Sequence, residues 1–356
     1  MKRILFVFLC LLTAFTGFSQ QSSSMDLQTA ATVNLIRTEP ILVRDLRVQV
    51  QQLEQLYSRT LTQAERLQVL NSMIDEKLFL QGAERDRVFV TDNEVNQQIT
   101  DLRNNLAQQL GRQPTDAEYA QAVMNTYGLE VNAFREQLRR QLTLNKYLMA
   151  KKGDLINSVR APTEAEILSE YNLNRGNLVR PETIRITMIQ VPYGNDASTR
   201  ARARSLAETL AREINSDPSK FDEVVARSVA PNSGYQAGDA GYLPRTAEAR
   251  NTVGQQFMDI AFGTGDRQGL RQGQVSQLIE GIEGFQIIKV TENYSVRNLE
   301  LTDIYQLGTR VTVREYIGQY LINQRQQNAL NRATEEILAE LKSSRTFTIF
   351  ENVIRW

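Results

Sequence analysis

The side chains that most often carry chemistry are nearly missing from this chain. Its 356 residues include no histidine and one cysteine, Cys10. Without an imidazole, Ser228 and Ser276 have no base to activate them as hydrolytic nucleophiles. Cys10 lies in an apolar N-terminal run, so removal of that run leaves no thiolate, disulfide or sulfur ligand. Carboxylates remain as metal ligands, but none has the spacing of a calcium loop, so neither a metal nor a cofactor is expected. Gly238, Gly241, Gly263, Gly265 and Gly269 lack the strand-to-helix setting of a phosphate-binding loop. The apolar stretch Gly284-Phe285-Gln286-Ile287-Ile288-Lys289-Val290 reads as a strand that carries one amide, Gln286. Its amide can donate and accept hydrogen bonds but cannot titrate.

The N-terminus has the pattern of an export signal. Met1, Lys2 and Arg3 precede the apolar run Ile4 to Leu12, and Gly17 and Ser19 offer small residues for cleavage, the pattern of a signal peptide cut after Ser19. The run is about half the roughly twenty apolar residues of a membrane anchor. Val7, Phe8 and Leu9 before Cys10 leave no lipidation signal. The mature chain, about 340 residues long, suggests two or three domains. Lysine plus arginine and aspartate plus glutamate each number 41, so attraction to nucleic acid or anionic lipid is not expected.

From Thr60 to about Met149 the apolar period is helical: Leu67, Leu70, Ile74 and Leu78, then Val95, Ile99, Leu102, Leu106 and Leu110. Thr62 with Glu65, Thr91 with Glu94, Thr115 with Glu118 and Thr163 with Glu166 have the capping-box spacing that starts a helix. A mixed region follows. Ile184, Ile186, Met188 and Gln190 alternate with Arg185, Thr187, Ile189 and Val191 as on a strand. Helices are expected over Ser198 to Ile214, Phe221 to Ser228 and Gln256 to Phe262, with a short strand in the glycine-rich Gly234 to Gly241 and a closing strand over Phe285 to Val290. Tyr316, Tyr320, Ala333, Ile337 and Leu341 mark a long amphipathic helix, and Thr346 to Ile354 alternates as a strand.

Phe221-x-x-Val-x-Ala-x-Ser, Gly238-Asp239-Ala240-Gly241-Tyr242, Phe257-x-x-x-Ala261-Phe262, Gly273-x-Val275-Ser276 and Gly284-Phe285-Gln286-Ile287-Ile288 follow one another over roughly 110 residues. As a set they resemble a parvulin peptidyl-prolyl isomerase domain, with a longer loop from Gly263 to Gly269. The opening Thr38-Glu39-Pro40-Ile41-Leu42-Val43-Arg44-Asp45-Leu46 and the C-terminal helix and strand resemble the chaperone domain of SurA-like and PrsA-like folding factors. The resemblance implies an α+β fold: a mainly helical chaperone domain completed by the C-terminal helix and strand, with an inserted parvulin domain of FKBP-like α+β type. It implies a signal peptide over 1–19, a chaperone domain over 20–178, a parvulin domain over 179–294, and a C-terminal helix and strand over 295–356 packing on the chaperone domain. A generic helical domain and a free C-terminal helix used for dimerisation are the alternatives.

In the parvulin family two histidines and a cysteine or aspartate surround the substrate amide. The resemblance places Met188, Gln286 and Ala230 at those positions. Ala240, Val253 and Phe257 fall on the proline pocket, where an alanine in place of a leucine widens the grip. The expected function is therefore ATP-independent binding, in the periplasm, of unfolded or extended client polypeptides such as outer-membrane proteins. Neither nucleic acid nor a membrane span in the mature chain enters this expectation. An active prolyl isomerase and a dimerising envelope scaffold are the rival readings, and whether the chain is an enzyme stays open at this level.

Overall fold

The computed structural model describes residues 26–194, 196–343, 345–354 and 356. The expected signal peptide over 1–19, with Cys10, lies outside the described residues. The chain divides into two compact units, the first formed by residues up to 160 together with 323–356, the second by 161–322. In sequence, the second unit is an insertion in the first.

The first unit begins with β1 (Thr29–Asn34) and β2 (Thr38–Leu42), then α1 (Val43–Tyr57), α2 (Gln63–Arg85), α3 (Asp92–Leu110), α4 (Asp116–Tyr127) and α5 (Val131–Asn157). Capping boxes start α2, α3 and α4, each with a threonine hydroxyl accepting from a glutamate N–H while that carboxylate accepts from the threonine N–H. Leu70, Ile74 and Leu78, four residues apart on α2, are fully buried. Each such side chain is worth about 1.5–3 kcal/mol of burial. With Val43, Leu46 and Val50 of α1 they form the main core of this unit. Gln81 is buried among them and accepts from the N–H groups of Leu35 and Ile36 at 3.0 and 3.1 Å, closing donors where β1 ends. A smaller cluster joins α4 and α5, where Tyr127 and Phe134 stack with ring centroids 4.5 Å apart.

The second unit comprises α6 (Glu164–Asn174), β3 (Val179–Arg180), β4 (Thr183–Pro192), α7 (Ala197–Ser216), α8 (Lys220–Arg227), β5 (Gln236–Pro244), α9 (Ala247–Val253), α10 (Gln255–Phe262), β6 (Ile279–Glu280), β7 (Gly284–Tyr294) and β8 (Arg297–Asn298). Its sheet has the order β5-β4-β7-β6, antiparallel throughout. Ile189 and Val191 of β4 face α7 and α8, and Ile184, Ile186 and Met188 face α10. Both faces of this strand are covered, so the alternation in its sequence separates two cores rather than core from water. Residues 161–178 and 295–322 also lie in this unit. Leu178, Leu299, Val313 and Ile317 pack with Ile167 and Tyr171 of α6, and the Tyr171 hydroxyl donates to the Leu299 carbonyl at 3.1 Å.

α11 (Val313–Leu341) runs from the second unit into the first, and β9 (Phe347–Ile349) follows it. β9 pairs antiparallel with β1, Ala31 opposite Ile349 and Val33 opposite Phe347, completing a sheet of order β2-β1-β9. Lys342 meets Asp75 of α2 at 2.5 Å, and Lys152 of α5 meets Glu336 and Glu340 of α11 at 3.1 Å. Trp356 lies beneath two guanidinium groups, Arg47 at 4.9 Å and Arg66 at 5.5 Å from its ring centroid. The strand expected over Thr346 to Ile354 is shorter than the alternation suggested, because the chain turns into a 3-10 helix at Glu351–Val353. No described helix is long and apolar enough to cross a membrane.

Candidate functional site

β4 and β7 are hydrogen-bonded neighbours in which Gln190 lies opposite Gln286 and Met188 opposite Ile288. Even-numbered residues of this stretch share one face, which places Met188 and Gln286 on the side of the sheet covered by α10. α10 sends Phe257, Met258, Ala261 and Phe262 onto that face, and Val253 reaches it from the end of α9. Four of the six positions expected at a substrate site thus meet on one surface.

That surface is filled. Phe257 is 1 % exposed and Gln286 8 %, with Ile279 and Ile288 wholly covered beside them. Met188 and Val253 are half-buried. The Gln286 side chain folds against the turn between β6 and β7, where a Cβ on Gly281 would lie 2.5 Å from Oε1. Only glycine leaves room for the amide there. Oε1 is buried and has no hydrogen-bond partner, an arrangement that costs free energy and that native structures rarely retain.

The remaining two positions are elsewhere. Ala230 is exposed in the turn after α8, its N–H donating to the Arg227 carbonyl at 3.1 Å and its carbonyl accepting from Ser233 N–H at 3.2 Å. Ala240 is exposed in β5 at a bulge, between Asp239 opposite Thr187 and Gly241 opposite Ile186. Neither joins the packed cluster around Phe257. Ser276 and Ser228 both serve the main chain: Ser276 Oγ accepts from Ile288 N–H at 2.9 Å, and Ser228 Oγ donates to the Val225 carbonyl at 2.7 Å.

The charged groups of this unit tie strands together. Arg185 on β4 reaches Asp239 on β5 at 2.5 Å and Glu292 on β7 at 2.9 Å. The Arg185 hydrogen bond holds the Asp239 carboxyl below the usual carboxylate range, and hydrogen bonds from Tyr294 and then Arg185 do the same for Glu292. Tyr294 is pushed up to about 12, chiefly by its bond to Glu292. α9 and the edge segment running beside β7 before β6 were not anticipated from the sequence. The motif Gly273-x-Val275-Ser276 was the available signal for the second of these.

Residues 1–148 match the family model described as a SurA-like N-terminal domain. Residues 186–292, which run from within β4 to within β7, match the model of the PPIC-type peptidyl-prolyl isomerase domain. The chain thus joins a SurA-like N-terminal domain to a PPIC-type peptidyl-prolyl isomerase domain, the two matches together covering more than half of it. A protein named Chaperone SurA from Saccharophagus degradans is 23% identical over 294 residues, an alignment covering 79% of this chain and 61% of that protein. The chain therefore spans less than two thirds of that SurA relative. Foldase protein PrsA from Clostridium botulinum is 22% identical over 363 residues, covering 94% of each chain. A solved structure of a SurA-like chaperone from Campylobacter jejuni is 12% identical and covers 90% of this chain at a TM-score of 0.40. The rotamase match lies within the inserted unit, and the SurA-like match lies in the unit whose sheet β9 completes.

Proposed function

We propose that this chain is an ATP-independent chaperone of the periplasm. It holds unfolded exported or outer-membrane polypeptides, and its parvulin domain binds and packs without isomerising proline bonds. The observation that carries the second half is the filled face around Phe257. Rotating an amide crosses about 18–20 kcal/mol, and an X–Pro bond turns over unaided in tens to hundreds of seconds. A catalyst must grip the proline ring and act on the amide as it twists. Here the ring-gripping Phe257 is covered, Met188 and Gln286 replace the polar groups of the family, and Gln286 turns its amide into the β6–β7 turn.

The first half is supported by the export signal read at the N-terminus and by the chaperone and foldase names of the relatives. The charge balance also fits a partner recognised through apolar and main-chain groups. Exposed apolar side chains on the helical unit, Leu56, Tyr57, Phe89, Leu110 and Met149 among them, offer contacts to such a partner. Two measurements test this. Osmotic-shock release should recover the mature chain beginning at Gln20, and the purified protein should suppress light scattering by a diluted, urea-unfolded outer-membrane protein. Retention of residues 1–19 inside the cell, or undiminished scattering, would defeat the reading.

A further inference from the structure

The loop Gly263 to Gly269 takes no part in the face around Phe257. With the C-terminal end of α7 and part of α10 it walls an open cleft of about 730 Å³ in the second unit. The loop is tightly built. Gly263 bridges Gln268, Thr264 N–H donates to the Arg267 carbonyl at 2.8 Å, and Leu270 N–H donates to the Ala261 carbonyl at 3.0 Å. Ile214, Pro218, Ile260, Leu270 and Val275 give the cleft an apolar floor. Asn215, Gln268, Gln274 and Gln277 add amides to the lining, and Arg267 is the charged residue among them.

One wall is a strand edge with its main chain open. Gly273 N–H donates to the Val290 carbonyl at 2.7 Å, Val290 N–H to the Gln274 carbonyl at 3.1 Å, and Ser276 N–H to the Ile288 carbonyl at 2.8 Å. Val275 lies opposite Lys289 between these bonds. In an antiparallel ladder the residue of such a pair turns its own N–H and C=O away from its partner strand. The donor and acceptor of Val275 therefore point off the edge of the sheet, where Val275 lines the cleft.

We propose that this cleft, which borders the Met188–Gln286 face through Ile260 and Leu270, is a polypeptide-binding site in its own right, and that it takes an extended segment of an unfolded client as an added strand against Val275. A folded partner arrives with its main-chain groups already paired. An unfolded strand brings them free to pair with the outward N–H and C=O of Val275, whatever its side chains are. Alternate client side chains then lie on the floor of Ile214, Ile260 and Leu270. The proposal rests on the client-binding reading above and names where binding occurs.

The test uses the full mature chain with benzoylphenylalanine in place of exposed Gln277, and reduced, carboxymethylated α-lactalbumin as a permanently unfolded probe. Irradiation should give a chaperone–probe adduct at 277. Val275→Pro removes the outward N–H without touching the bonds to β7, a substitution that strand edges tolerate. It should weaken probe binding about two- to tenfold, the value of one hydrogen bond, with an unchanged circular dichroism spectrum. Ile260→Arg, which puts a charge on the floor, should act in the same direction if the proline variant misfolds. Probe binding with no adduct at 277 and no loss in either variant would overturn the proposal while leaving the chaperone reading intact. Adducts between copies of the chain without probe would also overturn it, making the occupant a second copy. Failure of the unaltered chain to bind the probe would defeat the client-binding reading itself.

Discussion

Placing a methyl group at Gly82 tests how α11 returns to the first unit. A Cβ there would lie 2.9 Å from Tyr147 Oη and 3.1 and 3.2 Å from Leu341 Cδ1 and Cδ2, so α5 and α11 both crowd the same point on α2. Tyr147 is buried and donates to Asp86 at 3.0 Å, which limits its retreat. Overpacking of this kind costs about 1–3 kcal/mol, and the Gly-to-Ala gain in helix propensity returns about 1 kcal/mol. Gly82→Ala should therefore destabilise by about 0–2 kcal/mol. Leu341→Ala, at a side chain only 2 % exposed, should cost about 2–5 kcal/mol. In the double variant the new methyl enters the space left by the leucine, so the pair should cost at least about 1 kcal/mol less than the sum of the two singles. Urea unfolding followed by tryptophan fluorescence reads this directly. Trp356 is the chain's one tryptophan, and it belongs to the unit in question. Additivity within about 0.5 kcal/mol would refute the packing of Leu341 on Gly82.

Three further outcomes follow from the same structure. Glu65, Glu94 and Glu118 are held at about 2 by hydrogen bonds from Arg59, Lys146 and Arg112 first and from their capping threonines next. Between about 4.5 and 2 the unfolded chain binds more protons than the folded one, so this stability is present above about pH 4.5 and disappears as pH falls toward about 2. Acid titration by far-ultraviolet circular dichroism should show a shallower loss in the triple glutamine variant. Gln286→Leu removes a buried oxygen with no partner and should leave the thermal midpoint unchanged or raised, by up to about 1–3 kcal/mol in stability; a lowered midpoint would mean that the amide is needed by the fold. Ending the chain after Ser343 strips β9 from the edge of β1 and removes buried Ile354. That truncation should lower the midpoint and expose a strand edge prone to aggregation, visible as scattering on heating.

Local chemistry was legible in the sequence where one turn of chain decides it. All four threonine–glutamate boxes cap helices as their spacing implied, because donor and acceptor lie three residues apart whatever packs around them. The alternation in Ile184 to Val191 likewise gave a strand with correctly sorted faces. What depended on distant partners was less visible. Gly234 to Gly241 suggested a short strand, yet Gln236–Pro244 forms nine residues of β5 because β4 supplies hydrogen bonds along its length. Tyr316 and Tyr320 fit the period of a buried face but are exposed, and Ile317 and Leu321 take the core side. At the site, motif order assigned Met188, Val253, Phe257 and Gln286 to substrate positions by resemblance alone. It could not reveal that their shared surface is covered, or that Ala230 and Ala240 lie exposed outside its packed cluster, since burial is set by how α9 and α10 lie on the sheet.

The covered face around Phe257 is tested most directly by isomerisation of a proline-containing peptide by the purified mature chain, in the same sample in which it prevents aggregation of an unfolded outer-membrane protein. Held client with a peptide rate equal to the uncatalysed one is the predicted result. Acceleration of the peptide, lost in Phe257→Ala, would contradict it, for it would mean that the covered face opens to substrate and that Met188 and Gln286 suffice for catalysis.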